Sequence, residues 1–244
     1  MVSKKKILHQ DFKALIKKSK NFVVTGFRWS GTPQLLLRLV RESFDKEGEP
    51  NQITIIFTSS ATDPGIDHLA HPELLSCSYG SYYGSIPRIR KLVENNLIKG
   101  YSLPQGQLSL LFREIARGSP GLISKVGMNT YVDPLLSGGK LNKKTKKDAV
   151  KRLKIKNEDY LFYESFDIDV ALLRGTKADI NGNISMEDEP IKTEYLSMAQ
   201  AAKSCGGKVY VQVLSESTRL LSPNKIDLPS HLVDGYIITN DIEN

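Results

Sequence analysis

The sequence predicts an α/β fold, an open three-layer sandwich whose mostly parallel sheet is covered by helices on both faces. Three observations carry that expectation. Short apolar runs such as Phe22-Val23-Val24 and Ala171-Leu172-Leu173 are continuous, as in strands buried on both sides, and lack the alternation of a strand with one wet face. Stretches with helical spacing of apolar residues separate most of these runs, the order that right-handed crossovers produce. A chain of 244 residues, 40% hydrophobic and 25% charged, can bury a full core. With no linker rich in Pro, Gly or Ser, residues 1–244 are expected to form a single domain.

The elements follow in order. Asp11 can cap a short helix reaching about Lys20, and residues 21–25 read as a buried strand ending at Gly26. After the turn 26–33, Pro33 sits near the first turn of a helix that carries Leu35, Leu36, Leu39, Val40 and Phe44 inward. Residues 53–57 form the next strand. Ser85 and Pro87 open a helix to about Asn96, followed by a strand at 98–101, a helix at 108–116 and a strand around Leu122. Between Val150 and Tyr163, two alternating segments flank Asn157-Glu158-Asp159, the pattern of a hairpin. Strands at 169–175, 208–213 and 235–239, with a helix at 194–203, complete the pattern.

Composition excludes several classes. The two cysteines, Cys77 and Cys205, make neither a CxxC pair nor a metal cluster, and of the four histidines only His68 and His71 are close, with no third ligand nearby. No metal and no disulfide are expected. No apolar run approaches membrane-spanning length and the basic start has no long apolar segment after it, so the expected location is cytoplasmic, without a membrane partner. The net charge of +7 comes largely from Lys4 to Lys6, Lys17, Lys18, Lys20 and a cluster at 143–156. That cluster contains no aromatic residue for stacking, so it reads as solvated surface, with a second role in attracting a polyanionic cofactor; no nucleic acid is expected.

The densest chemical signal lies at residues 101–142. Leu103-Pro104-Gln105-Gly106 is a turn directly before a helix, where backbone N–H groups and a neutral amide gather. An apolar run between Gly121 and Gly127, the segment 128–134 and the flexible Ser137-Gly138-Gly139-Lys140 follow. Such loops suit a small anionic or acyl ligand, although each alone is also an ordinary tight connection. The turn 26–33 is expected at the carboxyl end of a parallel strand, where open α/β sheets bind ligands. It is neither a Walker loop nor GxGxxG, since only Gly26 and Gly31 are present. It reads either as a strand-to-helix turn with Phe27 and Trp29 packed or as an anion or acyl pocket.

Gly26-Phe27-x-x-x-Gly31-x-Pro33 resembles the amino-terminal signature GGFxxxGxP of the family I coenzyme A transferases. The resemblance continues in family order through His68-Leu69-Ala70-His71, Leu103 to Gly106, VGMNTYVDP at 126–134 against a family-like VGLGTFVDP, SGGKLN at 137–142, residues 166–186, and Met198 to Ala202. It covers nearly the whole chain and is most similar to the acetate, propionate and 3-ketoacid CoA-transferase branch, enzymes of short-chain fatty acid and ketone body metabolism.

The resemblance implies a ping-pong CoA transfer through a glutamyl-CoA thioester, with coenzyme A as co-substrate and no permanently bound cofactor. In the family the nucleophilic glutamate belongs to a second, β-type half. Glu164 and Glu216 lie outside that context here and read as surface carboxylates. The chain, stopping soon after its last strand, is therefore expected to be an α subunit, or the α half of a fused enzyme, inactive alone and part of a hetero-oligomer. The implied substrate-binding residues are Gly26, Phe27, Gly31, Gln105, Gly106, Gly127 and Asn129. Gly26 and Phe27 would shape the carboxylate end of the site, Gln105 and Gly106 would hydrogen-bond the reacting carbonyl, and Gly127 would let backbone approach the acyl group.

Three departures stand out. Thr25 replaces the first glycine of the signature, adding a branched side chain beside the pocket. Asn129 replaces the second glycine of GLGT, which left-handed backbone would tolerate. YGSYYG at 79–84 replaces a GGHWG-like loop, so acyl preference is expected to differ from that of the commonest members. Two other readings stay open from the sequence: a non-catalytic metabolite-binding module of the same fold, and half of a CoA-thioester hydrolase.

Overall fold

A computed structural model describes residues 5–28, 30–59 and 64–239. Helix α1 (His9–Ile16) leads into strand β1 (Asn21–Val24), then α2 (Gln34–Glu47), β2 (Ile53–Phe57), β3 (Leu75–Gly80), α3 (Pro87–Glu94), β4 (Lys99–Ser102) and α4 (Gln105–Ala116). Strands β5 (Gly121–Ser124), β6 (Val150–Ile155) and β7 (Glu158–Glu164) follow, then β8 (Val170–Arg174), β9 (Lys177–Ala178) and β10 (Ile184–Ser185). Helix α5 (Tyr195–Ser204), β11 (Lys208–Val213), β12 (Ser215–Glu216) and β13 (Gly235–Ile238) complete the order.

Seven strands form one parallel sheet in the order β13-β11-β8-β1-β2-β3-β4. From β1 the chain builds outward through β2, β3 and β4, then returns to the opposite side of β1 with β8. The order therefore reverses between β1 and β8, the place where an open sheet leaves a crevice at its carboxyl edge. The period-two geometry of β1 shows why its run is apolar throughout. Phe22 and Val24 point to one face, against Phe12, Leu36 and Val40 of α1 and α2, whereas Val23 points to the other, in the core built by Leu108, Phe112, Met198 and Ala202 of α4 and α5.

The structure moves several expected boundaries. Helix α1 starts at His9, so Asp11 lies in its first turn, where its charge complements the helix dipole without capping it. Helix α4 begins at Gln105, because Pro104 fixes the backbone ahead of it and its carbonyl accepts the Leu108 N–H; Gln105 and Gly106 thus belong to the first helical turn. The hairpin turns at Lys156 and Asn157, both left-handed (φ 48° and 65°), and Glu158 already opens β7. Strand β5 does not join the main sheet but pairs antiparallel with β7, making the order β5-β7-β6. Strand β3 (LSCSYG) has too few apolar residues to be read as a strand from sequence, yet it pairs parallel with β4 and, across one register shift at Ile53/Thr54, with β2.

Candidate functional site

At the switch point, β1 runs into the loop that holds Gly26, Phe27 and Gly31. The buried Thr25 hydroxyl donates to the Gly31 carbonyl at 2.9 Å, and Phe27 and Ser30 exchange backbone hydrogen bonds at 2.9 and 3.0 Å. The loop is thereby folded on itself, and the branched side chain of Thr25 stitches it instead of narrowing a pocket. Phe27 is not packed but 36% exposed, while Trp29 lies outside the described residues. One N–H at the start of α2, that of Leu35, is taken by the side-chain carbonyl of Gln212 on β11 at 2.8 Å, which leaves less of this helix terminus for an anion. Across the crevice, Arg174 ends β8 with its Nε on Oε1 of the buried Glu189 at 2.8 Å.

Along the same edge, β2, β3 and β4 are each followed or ended by a hydroxyl side chain: Thr58, Ser81 and Ser102. The Ser81 hydroxyl donates to the Thr58 carbonyl and the Ser102 hydroxyl to the Ser81 carbonyl at 3.3 Å. The Thr58 hydroxyl donates to Glu194 Oε2 at 2.7 Å, and the Ser109 hydroxyl donates to Oε1 of the same carboxylate. Glu194, just before α5, therefore clasps β2 and α4 together. Sequence reasoning missed this ledge, along with Glu194 and Arg174. Its signal was a Ser, Thr or Arg at the carboxyl end of an apolar run, visible in FVVT, IIFTS and ALLRG.

Beyond the ledge stand Gln105 and Gly106, exposed in the first turn of α4. Among the described residues the Gln105 amide has no hydrogen-bond partner, and a Cβ added at Gly106 would meet nothing within 4 Å. Folding does not require glycine there. Three strand spacings separate β1 from β4, about 14 Å within the sheet, while Glu194 ties the end of β2 back to α4.

The third group, Gly127 and Asn129, opens an arm that flanks β4. Gly127 has φ 96°, and a Cβ there would lie 2.4 Å from Val132 Cγ1 and 2.6 Å from the Tyr163 hydroxyl, so packing alone demands a glycine. Asn129 is left-handed at φ 58°, as its replacement of a glycine suggested. The arm's anchor is Asp133, whose buried carboxylate accepts Arg152 Nε at 2.9 Å and Nη2 at 2.8 Å, and the N–H groups of Asn129 and Leu135 at 2.8 and 3.0 Å. The Arg152 guanidinium, aided by these N–H donors and opposed by burial, holds the Asp133 carboxyl well below the usual range. The arm closes on the ledge where the Gly139 carbonyl accepts the Ser102 N–H at 2.9 Å and the Tyr131 hydroxyl lies 3.4 Å from that of Ser102.

Other candidates for nucleophile or metal work are otherwise engaged. Glu164 pairs with Lys151 and Lys147, and Glu216 pairs with Lys6 and accepts the Tyr236 hydroxyl. The Cys77 thiol is pushed up to about 12 by burial and is inert at neutral pH. His71 packs its ring against Phe44 and accepts the Glu73 N–H, away from the carboxyl edge. Among the described residues no group of three or more His, Cys, Asp or Glu could hold a metal ion, and no helix is long and apolar enough to cross a membrane.

The coenzyme A transferase family model matches residues 10–237. Caffeate CoA-transferase of Acetobacterium woodii is 39% identical over 231 residues, covering 93% of this chain but 44% of that protein. The acetoacetyl-CoA:acetate/butyrate CoA transferase alpha subunit of Clostridium acetobutylicum is 26% identical over 238 residues, 97% of this chain and 96% of the relative. Among solved structures, the acyl-CoA transferase YdiF of Escherichia coli O157:H7, in a thioester complex with CoA, matches with a TM-score of 0.91 and 32% identity over 96% of this chain and 46% of that one. The chain thus spans less than half the length of the caffeate enzyme and of YdiF. A family match over nearly all of its length, on a sheet that YdiF shares, leaves one conclusion: this chain belongs to the coenzyme A transferase family.

Proposed function

We propose that the chain, as a single α-type domain, is the α half of an acyl-CoA:carboxylate CoA-transferase and forms one wall of the substrate pocket. The observation that carries this reading is its near end-to-end match with a separate alpha subunit, set against the half-length match with caffeate CoA-transferase and YdiF. A β-type half supplies the glutamate nucleophile. Its carboxylate adds to the thioester carbonyl, CoA thiolate leaves, and a mixed anhydride forms. The thiolate then attacks the glutamyl carbonyl, the first carboxylate departs, and the glutamyl-CoA thioester passes CoA to the acceptor carboxylate by the reverse steps.

This wall contributes donors and dryness. The unpartnered amide of Gln105 and the first-turn N–H groups of α4 stabilise the tetrahedral oxyanion. Gly106, which nothing in the fold requires, leaves the backbone open to ligand. The Gly26 loop with Phe27 and Gly31 follows β1 at the switch point and shapes the carboxylate end of the substrate site. Gly127 and Asn129 hold the arm that borders the reacting carbonyl.

The test is reconstitution. This chain, alone and with a β-type chain, is assayed for CoA exchange between an acyl-CoA and acetate. Activity is expected only in the mixture, with a covalent CoA adduct on the β-type chain. Exchange by this chain alone, abolished by Glu194→Gln, Glu164→Ala or Glu216→Ala, would sink the proposal, and release of free CoA in place of exchange would make the enzyme a hydrolase.

A further inference from the structure

The most exposed large apolar side chains among the described residues are Leu135 at 71% and Leu136 at 65%, adjacent in sequence on the arm. Tyr131, 46% exposed, stands on the same arm, its hydroxyl 3.4 Å from that of Ser102. Two neighbouring leucines held in water contribute nothing to the chain's own core. They are nevertheless held firmly, since the Leu135 N–H donates to Asp133 Oδ1 at 3.0 Å and the Leu136 N–H to the Asp133 carbonyl at 2.9 Å. The Asp133 carboxylate, buried and paired with the partly exposed Arg152, thus fixes the presentation of an apolar tip before any partner arrives, which reduces the ordering cost of association.

We infer that Leu135 and Leu136, on the same arm as the exposed Tyr131, are the docking point for the β-type half, which receives them in an apolar pocket. The inference rests on the α-half reading above. More than half of YdiF lies beyond the part this chain matches, within the same polypeptide, so a large body of protein is available to cover an exposed edge. The patch adjoins Ser102 and the start of α4. A partner seated on it closes over that end of the ledge and brings its own residues toward Gln105, excluding water from an anhydride as the proposed reaction requires.

Sedimentation velocity and titration calorimetry of this chain with the β-type chain test the assignment. The wild-type pair is expected to associate, the double variant Leu135→Asp/Leu136→Asp to bind about 100-fold more weakly, and Leu135→Met/Leu136→Met to bind as wild type. Leu15→Asp, at a position 56% exposed on α1 across the sheet, serves as the control and should leave affinity unchanged. Because both arm leucines are exposed, the unfolding midpoint of the isolated aspartate variant should match wild type. At saturating β-type chain its kcat should recover, separating docking from chemistry. Unchanged affinity in the aspartate variant overturns the docking inference and leaves the α-half reading standing, whereas failure of the wild-type pair to associate overturns both. Self-association of the wild-type chain that the aspartate variant abolishes assigns the patch to a second copy and also overturns it.

Discussion

The loop after β1 and the arm after β5 look alike as sequences, each a run of glycines and small residues around an exposed aromatic. They are built in opposite ways. The first is closed locally, by a hydroxyl that reaches six residues along the chain from Thr25 to Gly31. The second is closed remotely, by Asp133 reaching Arg152 on β6, and this leaves its tip projecting with two leucines in water. A loop anchored to itself finishes a fold, and a loop anchored to another element can display a surface.

The sharpest way to break that contrast is Asp133→Ala, which strands the partly buried Arg152 and removes acceptors for two arm N–H groups. We expect a loss of about 3 kcal/mol and a fall in Tm of about 6–12 °C. The pH dependence carries a definite sign. The Asp133 carboxyl is held below its ordinary value, so its stabilisation is fully present above the usual carboxylate range and is lost as pH falls through the depressed native value. Acid unfolding followed by circular dichroism should therefore be shallower in the alanine variant.

Gln105→Ala comes next and acts on chemistry alone. In the reconstituted enzyme kcat/KM should fall about 100-fold with Tm unchanged, because the amide has no partner among the described residues. Thr25→Val, nearly isosteric, leaves the Gly31 carbonyl unpaired and should cost about 1 to 2 kcal/mol in chemical denaturation, with the arm unaffected. Gly106→Ala is the smallest in stability, a gain of about 0.5 kcal/mol in an open helical position. If it also lowers kcat and kcat/KM together, by about tenfold, ligand approaches that backbone closely in the transition state. Full activity in this variant would remove Gly106 from the proposed wall.

The strands of the parallel sheet were legible wherever both faces are apolar, since two-sided burial writes itself as a continuous run. Strand β3 was hidden because Ser76 and Ser78 satisfy their hydroxyls on the Gln52 carbonyl and on Tyr83, pairings between strand and loop that composition cannot announce. Gln105 and Gly106 were found by position before a helix, although the sequence put that helix three residues too late. Gly127 was singled out for a ligand, yet it also answers to Val132 and Tyr163, a packing arrangement across the arm that local pattern does not reveal. Glu194 and Arg174 escaped notice because a charged residue at a strand or helix end is ordinary until the sheet order reveals which edge it occupies.

The hydroxyl ledge has a consequence for how a ligand would lie. Ser81 and Ser102 have each committed a proton to a neighbouring carbonyl, so what they turn outward is lone pairs. That strip of floor suits N–H and O–H groups better than negative charge, while the backbone N–H groups of the first turn of α4 are donors. The edge is thus polarised along its length, with hydroxyl acceptors over β3 and β4 giving way to backbone donors where α4 begins.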